Sequence, residues 1–392
     1  MDRADVAIIG AGIMGSATAY ALMTKLGPSA KVVLIEADTS YQRCATARSA
    51  GGIRHQFSTP ENIALSQATH GALLEIRELL GPDGDVPFRA HGYLIMASEA
   101  GLPVLEANAA TQRAAGAETL VLGPAALSER FPWLATDGVA AGSFGPRGEG
   151  WIDPVLWMSA LRKAAQIKGA RLINDRVVGI ATVGERVEAL SLASGAKIAV
   201  GHVVNAAGPW AGAVARLTGL DLPVEPRKRY VYVVDCRNAP ESLHKAPLTV
   251  DPSGVWFRPE GHMFICGVSP EEADEPKDGD LDYIDDQPFE EIVWPTLAAR
   301  VPAFEALKRV SAWAGFYDYN TLDQNGIIGP HPELTNFLFC NGFSGHGLQQ
   351  GYAAGRAVAE LIVDGRFTTI DLQRFGYGRI RANRPLLELN VS

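Results

Sequence analysis

The sequence begins with an apolar run that leads into a glycine-rich turn, Asp5-Val6-Ala7-Ile8-Ile9-Gly10-Ala11-Gly12-Ile13-Met14-Gly15. The run has the length of a buried strand, and residues 16–26 have helical composition. Lys31-Val32-Val33-Leu34-Ile35 then returns as a second apolar strand and ends at Glu36, 21 residues after Gly15. This order of strand, glycine turn, helix and strand predicts a complete βαβ unit that binds a dinucleotide.

Each glycine of the turn has a distinct predicted task. Gly10 permits the tight turn, Gly12 lets the backbone approach a pyrophosphate at the helix N-terminus, and Gly15 lets the helix pack closely on the strand. The Glu36 carboxylate is placed to accept hydrogen bonds from ribose hydroxyls and would repel a 2′-phosphate, which disfavours NADP. The predicted nucleotide contacts here are Gly10, Ala11, Gly12, Ile13, Met14, Gly15, Glu36 and Ala37.

One fingerprint alone fits either NAD or FAD, and the alternative is a glycine-rich turn of no function. We find no second nucleotide fold in the sequence. An enzyme that passed electrons from NAD(P)H to a flavin would usually need one.

The composition bounds the class of protein. The chain has 392 residues, 47% hydrophobic and 20% charged, with a net charge of −9, which is typical of a globular protein of two or three domains. Its basic clusters are short and scattered, so a nucleic-acid partner is not expected. No apolar stretch is long enough to cross a bilayer, and a first strand at residue 5 leaves no room for a cleavable signal peptide.

The four cysteines show neither CxxC pairs nor metal-ligand spacing. We therefore expect no metal site and a reducing, cytoplasmic setting with structural thiols.

The order of predicted elements indicates an α/β fold in which a discontinuous Rossmann-like nucleotide domain alternates with a strand-rich α+β substrate domain. We place the nucleotide domain at 1–85, 146–222 and 318–392, and the substrate domain at 86–145 and 223–317. A predicted helix over 61–80 ends at Gly81-Pro82-Asp83-Gly84, which marks the first crossing between the two.

Four segments together resemble the FAD-dependent amine oxidoreductases of the D-amino-acid oxidase, sarcosine oxidase and glycine oxidase group. The first is the Gly10 to Glu36 unit. The other three are Ala45-Thr46-Ala47-Arg48-Ser49-Ala50-Gly51-Gly52-Ile53-Arg54-His55, Val203-Val204-Asn205-Ala206-Ala207-Gly208-Pro209-Trp210-Ala211 and Gly342-Phe343-Ser344-Gly345-His346-Gly347-Leu348. They cover both ends and the middle of the chain in the expected order, and they favour FAD over NAD.

Further segments are similar to the branch that contains a mitochondrial FAD-dependent oxidoreductase domain-containing protein linked to respiratory complex I assembly. They are Pro223-Val224-Glu225-Pro226-Arg227-Lys228-Arg229-Tyr230, Tyr317-Asp318-Tyr319-Asn320-Thr321, Asp323-Gln324-Asn325-Gly326 and Gly345-His346-Gly347-Leu348-Gln349-Gln350. This resemblance adds a possible partner subunit to the expectations.

The resemblance implies an extended FAD whose adenine end lies at the first glycine turn, with Val178 offering backbone atoms to the adenine. The turn from Gly345 to Gln349 would face the pyrimidine edge of the flavin. Reduction places negative charge on that edge, which amides at a helix N-terminus stabilise. The implied FAD contacts beyond the first unit are Thr46, Arg48, Ser49, Ala50, Gly51, Val178, Gly208, Trp210, Gly342, Ser344, Gly345, His346, Gly347, Leu348 and Gln349.

The resemblance also implies oxidation of a C–N bond by hydride transfer to flavin, on a substrate that carries a carboxylate. Arg54 matches a substrate-carboxylate arginine, and a guanidinium suits that task because its planar fork gives two parallel hydrogen bonds. The alternative for Arg54 is pairing with a structural acid. The other implied catalytic residues are His55, Tyr317, His346 and Gln349. His346 is expected to pack or to bond the flavin rather than to transfer protons, while Trp256 and Arg258 are candidates for the cavity wall.

Three positions depart from monomeric sarcosine oxidase. Gly315 stands where a flavin-linking cysteine is expected, so we predict non-covalent FAD, with a link through His55 left open. Ile265 replaces a lysine thought to activate oxygen, which favours a dehydrogenase over a fast oxidase. Gln349 replaces a second carboxylate-binding lysine, which argues against sarcosine itself as the substrate.

Two further functions remain open at this stage. One is a 2-hydroxy-acid dehydrogenase on the same scaffold, since sites and not folds decide function. The other is a flavoprotein subunit or assembly factor that acts mainly through protein partners. The sequence does not name the electron acceptor.

Overall fold

The computed structural model describes residues 2–81, 84–270 and 279–389. Pro82 and Asp83, within the predicted first domain crossing, lie outside the described residues. The α-helices of the described part are α1 (Ile13–Leu26), α2 (Pro60–Leu74), α3 (Ile76–Leu80), α4 (Leu102–Ala114), α5 (Pro124–Arg130), α6 (Pro154–Ile167), α7 (Ala211–Arg216), α8 (Trp294–Arg300), α9 (Gly347–Asp364) and α10 (Gly378–Arg381).

The strands of the described part form two large sheets and one small one. They are β1 (Asp2–Ile9), β2 (Val32–Glu36), β3 (Gly52–Ile53), β4 (Tyr93–Ala97), β5 (Leu120–Leu122), β6 (Ala141–Gly145), β7 (Gly150–Trp151), β8 (Arg171–Asn174), β9 (Val177–Val183), β10 (Arg186–Leu192), β11 (Lys197–Asn205), β12 (Val224–Asp235), β13 (Leu248–Val250), β14 (Trp256–Glu260), β15 (Met263–Gly267), β16 (Lys308–Asn320), β17 (Ile327–Pro330) and β18 (Phe337–Asn341).

The first large sheet has the strand order β17-β18-β11-β1-β2-β8, with the β9–β10 hairpin attached to β11. The pairs β18–β11, β11–β1, β1–β2 and β2–β8 are parallel. Their central residues are mostly apolar and buried because helices cover the sheet. The strands come from three separate parts of the chain, so β1 pairs on one side with its sequence neighbour and on the other with residues about two hundred positions away. This is a Rossmann-like sheet.

Helices α1 and α9 pack against each other through small residues. A Cβ on Gly355 would lie 2.5 Å from the Thr18 backbone nitrogen, and a Cβ on Gly351 would lie 2.8 Å from Ile13. A Cβ on Gly347, the first residue of α9, would lie 3.1 Å from Met14 in the first turn of α1. The two helices therefore begin side by side, and the positive ends of both helix dipoles lie in one region.

The second large sheet has the order β16-β12-β15-β14-β13-β4-β6-β5 and is mostly antiparallel. Its longest pair, β12 with β16, aligns Val224 with Asn320 at one end and Asp235 with Lys308 at the other. Residues 281–307 cover a core rich in buried aromatic side chains, which include Tyr232, Phe257, Phe264 and Phe304. Together the sheets and helices confirm the predicted fold class; the domain boundaries stay a prediction.

Two local differences from the predicted elements have physical reasons. The helix predicted over 61–80 is interrupted at Glu75, whose ψ of 19° leaves the helical range, so that α2 and α3 are separate. No sequence pattern predicts β16 as an element of its own; it is a 13-residue strand with an exposed first half. Its pairing with β12 is a long-range contact that local patterns do not reveal.

The four cysteines, Cys44, Cys236, Cys266 and Cys340, are free thiols. No helix in the described part of the chain is both long and apolar enough to span a membrane. Among the described residues, no three histidine, cysteine or carboxylate side chains come together as a metal site.

Candidate active site

A cavity of about 720 Å³ is lined by residues of both large sheets, and it runs from Glu36 to Arg54 and Tyr93. It collects most of the site residues predicted from the sequence. Those on its wall are Gly10, Gly12, Ile13, Met14, Glu36, Ala37, Thr46, Arg48, Ser49, Ala50, Arg54, Gly208, Trp210, Tyr317, Ser344, Gly345, His346, Gly347, Leu348 and Gln349, together with Trp256.

The first glycine turn is a backbone cradle at one end of the cavity. Gly10 has φ +99°, and a Cβ there would lie 2.4 Å from the Ala206 carbonyl oxygen. A Cβ on Gly15 would lie 1.9 Å from the Gly10 carbonyl oxygen. Only glycine fits these two positions; Gly10 also lies on the cavity wall, whereas Gly15 supports the turn from behind it.

Two amides of this turn are bonded to side chains of the protein. The Ala11 N–H donates to Glu36 Oε2 at 2.7 Å, and the Ile13 N–H donates to Thr46 Oγ1 at 3.1 Å. Ala11 therefore acts by fixing Glu36 at the end of β2 rather than by lining the cavity. At Gly12, by contrast, the nearest atoms to a built Cβ are side-chain atoms of Cys44 and Thr46 at 3.4 Å, so the backbone is open to a close-lying group.

The predicted adenine contact through the Val178 backbone stays a prediction. Val177 lies on the cavity wall, whereas Val178 is not among the lining residues and its side chain is 47% exposed. Successive residues of β9 face opposite sides, so a shift of one position exchanges the inward and outward residues. Charged wall residues that the sequence did not single out at this end are Asp38, Arg43, Asp175 and Arg176.

The second glycine turn is ordered by a buried carboxylate beneath it. Asp318 Oδ2 accepts from the N–H groups of Gly342 at 2.9 Å and Phe343 at 3.1 Å. Burial raises the pKa of Asp318 to about 6, against the opposing effect of these backbone hydrogen bonds. Gly342 thus supports the turn from outside the cavity wall, and Ser344, at φ +50°, leads the chain to the start of α9.

Arg54 is 3% exposed and lies on the cavity wall. Its guanidinium forms no ion pair with a carboxylate of the described residues, and its Nη1 is buried without a hydrogen-bond partner. The guanidinium lies over the ring of Phe57, 4.8 Å from the centroid, and 5.7 Å from that of Tyr93. A buried cation with an unused donor at a cavity is a site for an anionic group, because leaving that donor unpaired costs about 1–3 kcal/mol.

His346 and Gln349 hold Arg54 in place. Arg54 Nη2 lies 3.1 Å from His346 Nε2, and because arginine can only donate, Nε2 is the acceptor and the ring proton is on Nδ1. Burial, together with the charge of Arg54, lowers the pKa of His346 to about 3, so the ring is neutral at pH 7. Gln349 Oε1 accepts from the Arg54 backbone N–H at 2.7 Å, and Ser66 donates to the Arg54 carbonyl.

Two tyrosines flank the region in front of Arg54. The Tyr317 ring packs against Gly345, where a Cβ would lie 2.5 Å from Cε2, so glycine is required there. Tyr93 lies on the same wall, and burial raises the pKa of its hydroxyl. The sequence did not single out Tyr93, because the parallel pairing of β4 with β13 is what brings it to the cavity.

His55 is not on the cavity wall. Its backbone N–H donates to Glu149 Oε1 at 2.7 Å, and its ring lies 5.5 Å from that of His70. Burial, together with His70, lowers the pKa of His55 to about 4. The structure thus brings Arg54, Tyr317, His346 and Gln349 together but leaves the His55 ring behind them.

Three other positions from the sequence analysis lie off the wall. Gly51 packs on Ile152, and Arg258 donates to the Ala50 carbonyl oxygen and to Glu260. Ile265 is buried within β15 and is not among the lining residues, so its identity does not determine the charge at the cavity. Gly315 is on the wall, with the Cβ of Arg48 only 2.7 Å from a Cβ built on it.

The residues present fit an extended FAD. The first turn brings the Gly12 backbone and the Glu36 carboxylate to the cavity wall, and the second helix N-terminus lies beside the first with Gly347 against Met14. Two positive helix ends in one cavity suit a ligand with anionic phosphates and a ring edge that gains negative charge. A single continuous cavity joins these features to Arg54.

The chain belongs to the family described as DAO: FAD dependent oxidoreductase, whose model matches residues 5–361. It is therefore a flavoprotein oxidoreductase that uses FAD. Among its relatives is the FAD-dependent oxidoreductase domain-containing protein 1 of Xenopus laevis, 43% identical over 100% of this chain and 85% of the relative.

Two relatives carry names of activities. Human mitochondrial sarcosine dehydrogenase is 28% identical over 95% of this chain and 41% of that protein. The crystal structure of L-proline dehydrogenase from P. horikoshii is 25% identical, with a TM-score of 0.86 over 98% of this chain and 100% of the other. The cytoplasmic setting expected for this chain stays a prediction.

Proposed function

We propose that this protein oxidises the C–N bond of a secondary or N-substituted amino acid to an imine. The observation that carries the proposal is Arg54, a buried guanidinium on the cavity wall whose Nη1 has no partner in the described residues. A substrate carboxylate would supply that partner and place the neighbouring C–N bond between Tyr93 and Tyr317.

The residues of the site act by binding and orientation. His346 accepts from Nη2, Nη1 keeps no partner in the described residues, and Gln349 fixes the Arg54 backbone. FAD, when bound, supplies the acceptor for the hydride that leaves the substrate carbon. His346 is neutral at pH 7 and its Nε2 lone pair is used by Arg54, so it positions the guanidinium and does not move a proton.

We further propose a dehydrogenase that passes electrons to an acceptor other than oxygen. The identity of Ile265 does not support the choice of a dehydrogenase over an oxidase, because its side chain is off the cavity wall. The support comes from relatives at 25% identity or more that are named for a dehydrogenase activity, human mitochondrial sarcosine dehydrogenase and the L-proline dehydrogenase from P. horikoshii among them. Rapid reoxidation of the reduced protein in air would contradict it.

Anaerobic bleaching of the flavin absorbance distinguishes the candidate reactions. The panel contains N-alkyl amino acids, proline, opines and 2-hydroxy acids. We expect bleaching by at least one amine that carries a carboxylate. Bleaching by hydroxy acids alone would replace this proposal with a hydroxy-acid dehydrogenase, and no bleaching at all would favour a role through protein partners.

The Arg54→Ala variant tests the carboxylate assignment. We expect a 10- to 100-fold rise in the substrate concentration needed for half-maximal bleaching rate, because a charged hydrogen bond contributes about 1.5–3 kcal/mol. Arg54→Lys should recover only part of this loss, since lysine lacks the planar fork. Arg113→Ala, which removes a partly exposed arginine bonded to the Thr119 carbonyl, is the control and should behave as wild type. Unchanged affinity in Arg54→Ala would refute the assignment.

A further inference from the structure

Glu149 is a buried carboxylate next to the segment that carries Arg54, and the function proposed above does not use it. It is 1% exposed and is not on the cavity wall. Oε1 accepts from the His55 backbone N–H and Oε2 from Gln56 Nε2, both at 2.7 Å. No lysine, arginine or histidine of the described residues forms an ion pair with it.

The chain makes room for this carboxylate. A Cβ on Gly145, in β6, would lie 2.1 Å from Glu149 Oε2. Gly148 has φ +73°, and a Cβ there would lie 2.5 Å from His55 Cε1. Larger residues at either position would displace Glu149 or the His55 ring, so both glycines support this arrangement.

Among the described titratable residues, Arg54 is the one whose charge acts on the pKa of Glu149. His55 and His70 lie beside it, and burial lowers the pKa of both, which keeps them neutral. The Tyr93 hydroxyl is neutral because burial raises its pKa. Arg258, which faces Tyr93, is paired with Glu260.

Glu149 and Arg54 nevertheless do not touch. Burial raises the pKa of Glu149 to about 7, while the hydrogen bonds from Gln56 and His55 and the charge of Arg54 act in the opposite direction. Its charge near neutral pH is therefore sensitive to any new charge placed on Arg54.

We propose that Glu149 is the counterion of Arg54 in the substrate-free site, and that a substrate carboxylate bound to Arg54 makes Glu149 take up one proton. The carboxylate brings one negative charge, the proton passes from solvent to a Glu149 oxygen, and the total charge of the buried group is unchanged. Glu149 is thus a positioning residue that acts through Arg54. The proposal rests on the carboxylate-binding role of Arg54 given under Proposed function.

A pH dependence of affinity follows. Where Glu149 is already protonated, a carboxylate binds without proton uptake. As the pH rises through the range in which Glu149 ionises, binding requires uptake of a proton, and affinity falls up to tenfold per pH unit. Glu149→Gln removes the ionisation and should bind the carboxylate with an affinity nearly independent of pH.

The experiment uses the FAD-loaded protein and methoxyacetate, in which an ether oxygen replaces the amine nitrogen of N-methylglycine. Affinity is read from the change in flavin absorbance between pH 6 and 9. Proton uptake is measured by calorimetry in two buffers with different ionisation enthalpies. We expect uptake of up to one proton by wild type near pH 8 and none by Glu149→Gln.

Glu360→Gln is the matched control, because Glu360 is equally buried but bonds Thr368 and Thr369 instead. It should retain the wild-type pH dependence. Glu149→Gln is expected to fold, since its oxygen can still accept from the His55 N–H and reversal of the Gln56 amide would let Oε1, which has no partner in wild type, accept from the new amide. If that variant loses FAD, the calorimetry of wild type decides the question.

The outcomes separate the two proposals. Binding that requires Arg54 but involves no proton uptake by wild type overturns the role of Glu149 alone. Binding of equal strength in Arg54→Ala and wild type overturns the carboxylate assignment itself. Persistence of the proton uptake in Glu149→Gln assigns the proton to another group and also refutes this inference.

Discussion

At the residue scale, the sequence pointed to Arg54 and the two glycine turns because their chemistry is tied to short motifs. Sequence patterns did not identify Tyr93 and Glu149. Each lies in an ordinary local context. Tyr93 reaches the cavity because β4 pairs with β13, and Glu149 follows β6, which pairs with β4 on its other side. The Val178 contact stays a prediction, since it concerns backbone atoms and the residue of β9 on the cavity wall is the neighbouring Val177.

Gly315 predicts that FAD is bound non-covalently, because glycine has no side chain that could form a link to the flavin. In wild type, acid precipitation should release all the flavin into the supernatant, because neither Gly315 nor the off-wall His55 offers a link. Gly315→Cys should still release it and should lose about 1–3 kcal/mol of unfolding free energy, since its Cβ would meet that of Arg48 at 2.7 Å. Flavin that stays with the precipitated wild-type protein would contradict the first expectation.

The buried acids and histidines of the site give opposite pH dependences to stability. His346 and His55 stay neutral in the folded protein but take up protons in the unfolded chain below about pH 6.5, so their contributions are lost as the pH falls. Glu149, with its pKa raised to about 7, keeps its proton when folded but not when unfolded above about pH 4.5, so its contribution is lost as the pH rises.

Glu149→Gln should therefore alter the pH profile of stability. Relative to wild type, we expect its free energy of unfolding to increase by about 2 kcal/mol between pH 5 and pH 7, since one pKa unit corresponds to about 1.4 kcal/mol. Urea unfolding at the two pH values measures this difference. An equal difference between the variant and wild type at both pH values would show that Glu149 is ionised throughout.

At the element scale, most predicted helices and strands were found within a few residues, because their apolar periodicity or strand-like composition is strong. What the sequence could not show is how α1 and α9 lie against each other. Gly351 and Gly355 looked like ordinary small residues of a helix, and only the structure shows that backbone atoms of α1 fill the space beside Gly355.

Gly355→Ala tests that contact. We expect it to destabilise the protein by at least about 1–3 kcal/mol and to weaken FAD binding, because the added Cβ would force the two helix N-termini apart. Gly71→Ala is the matched control. It lies in α2 with no atom within 4 Å of its built Cβ, and it should stabilise by up to about 1 kcal/mol. Thermal unfolding and FAD titration measure both, and equal behaviour of the two variants would contradict close packing at Gly355.

At the scale of the whole molecule, a residue near the end of the described chain holds the segment next to Arg54. Glu388 accepts from the N–H and hydroxyl groups of Ser58 and Thr59, and from Asn62 Nδ2 at 2.6 Å. These donors lie at the N-terminus of α2, where a carboxylate also interacts favourably with the helix dipole. The sequence held no local signal for this contact across more than three hundred residues.

Glu388→Ala should lower the free energy of unfolding by about 1–3 kcal/mol, since it leaves several partly buried donors without their partner. Glu333→Ala is the control, because the Glu333–Arg381 pair is about two-thirds exposed on both sides and contributes less than about 1 kcal/mol. Urea unfolding of both variants measures the contrast. A loss in Glu388→Ala no larger than in the control would show that this anchor is dispensable.

The interleaved order of the first sheet has a consequence for biosynthesis. β1 leaves the ribosome first, yet its partner β11 and the next strand, β18, are made only after residues 197 and 337. The cradle of the first turn therefore stays incomplete through most of translation. The apolar strand β1 is without its distant partners during that time, and folding through such late pairing is slow and exposes the chain to aggregation. FAD can be captured only by a nearly finished chain, so we expect cofactor supply to govern how much of the newly made protein matures rather than how fast it is made.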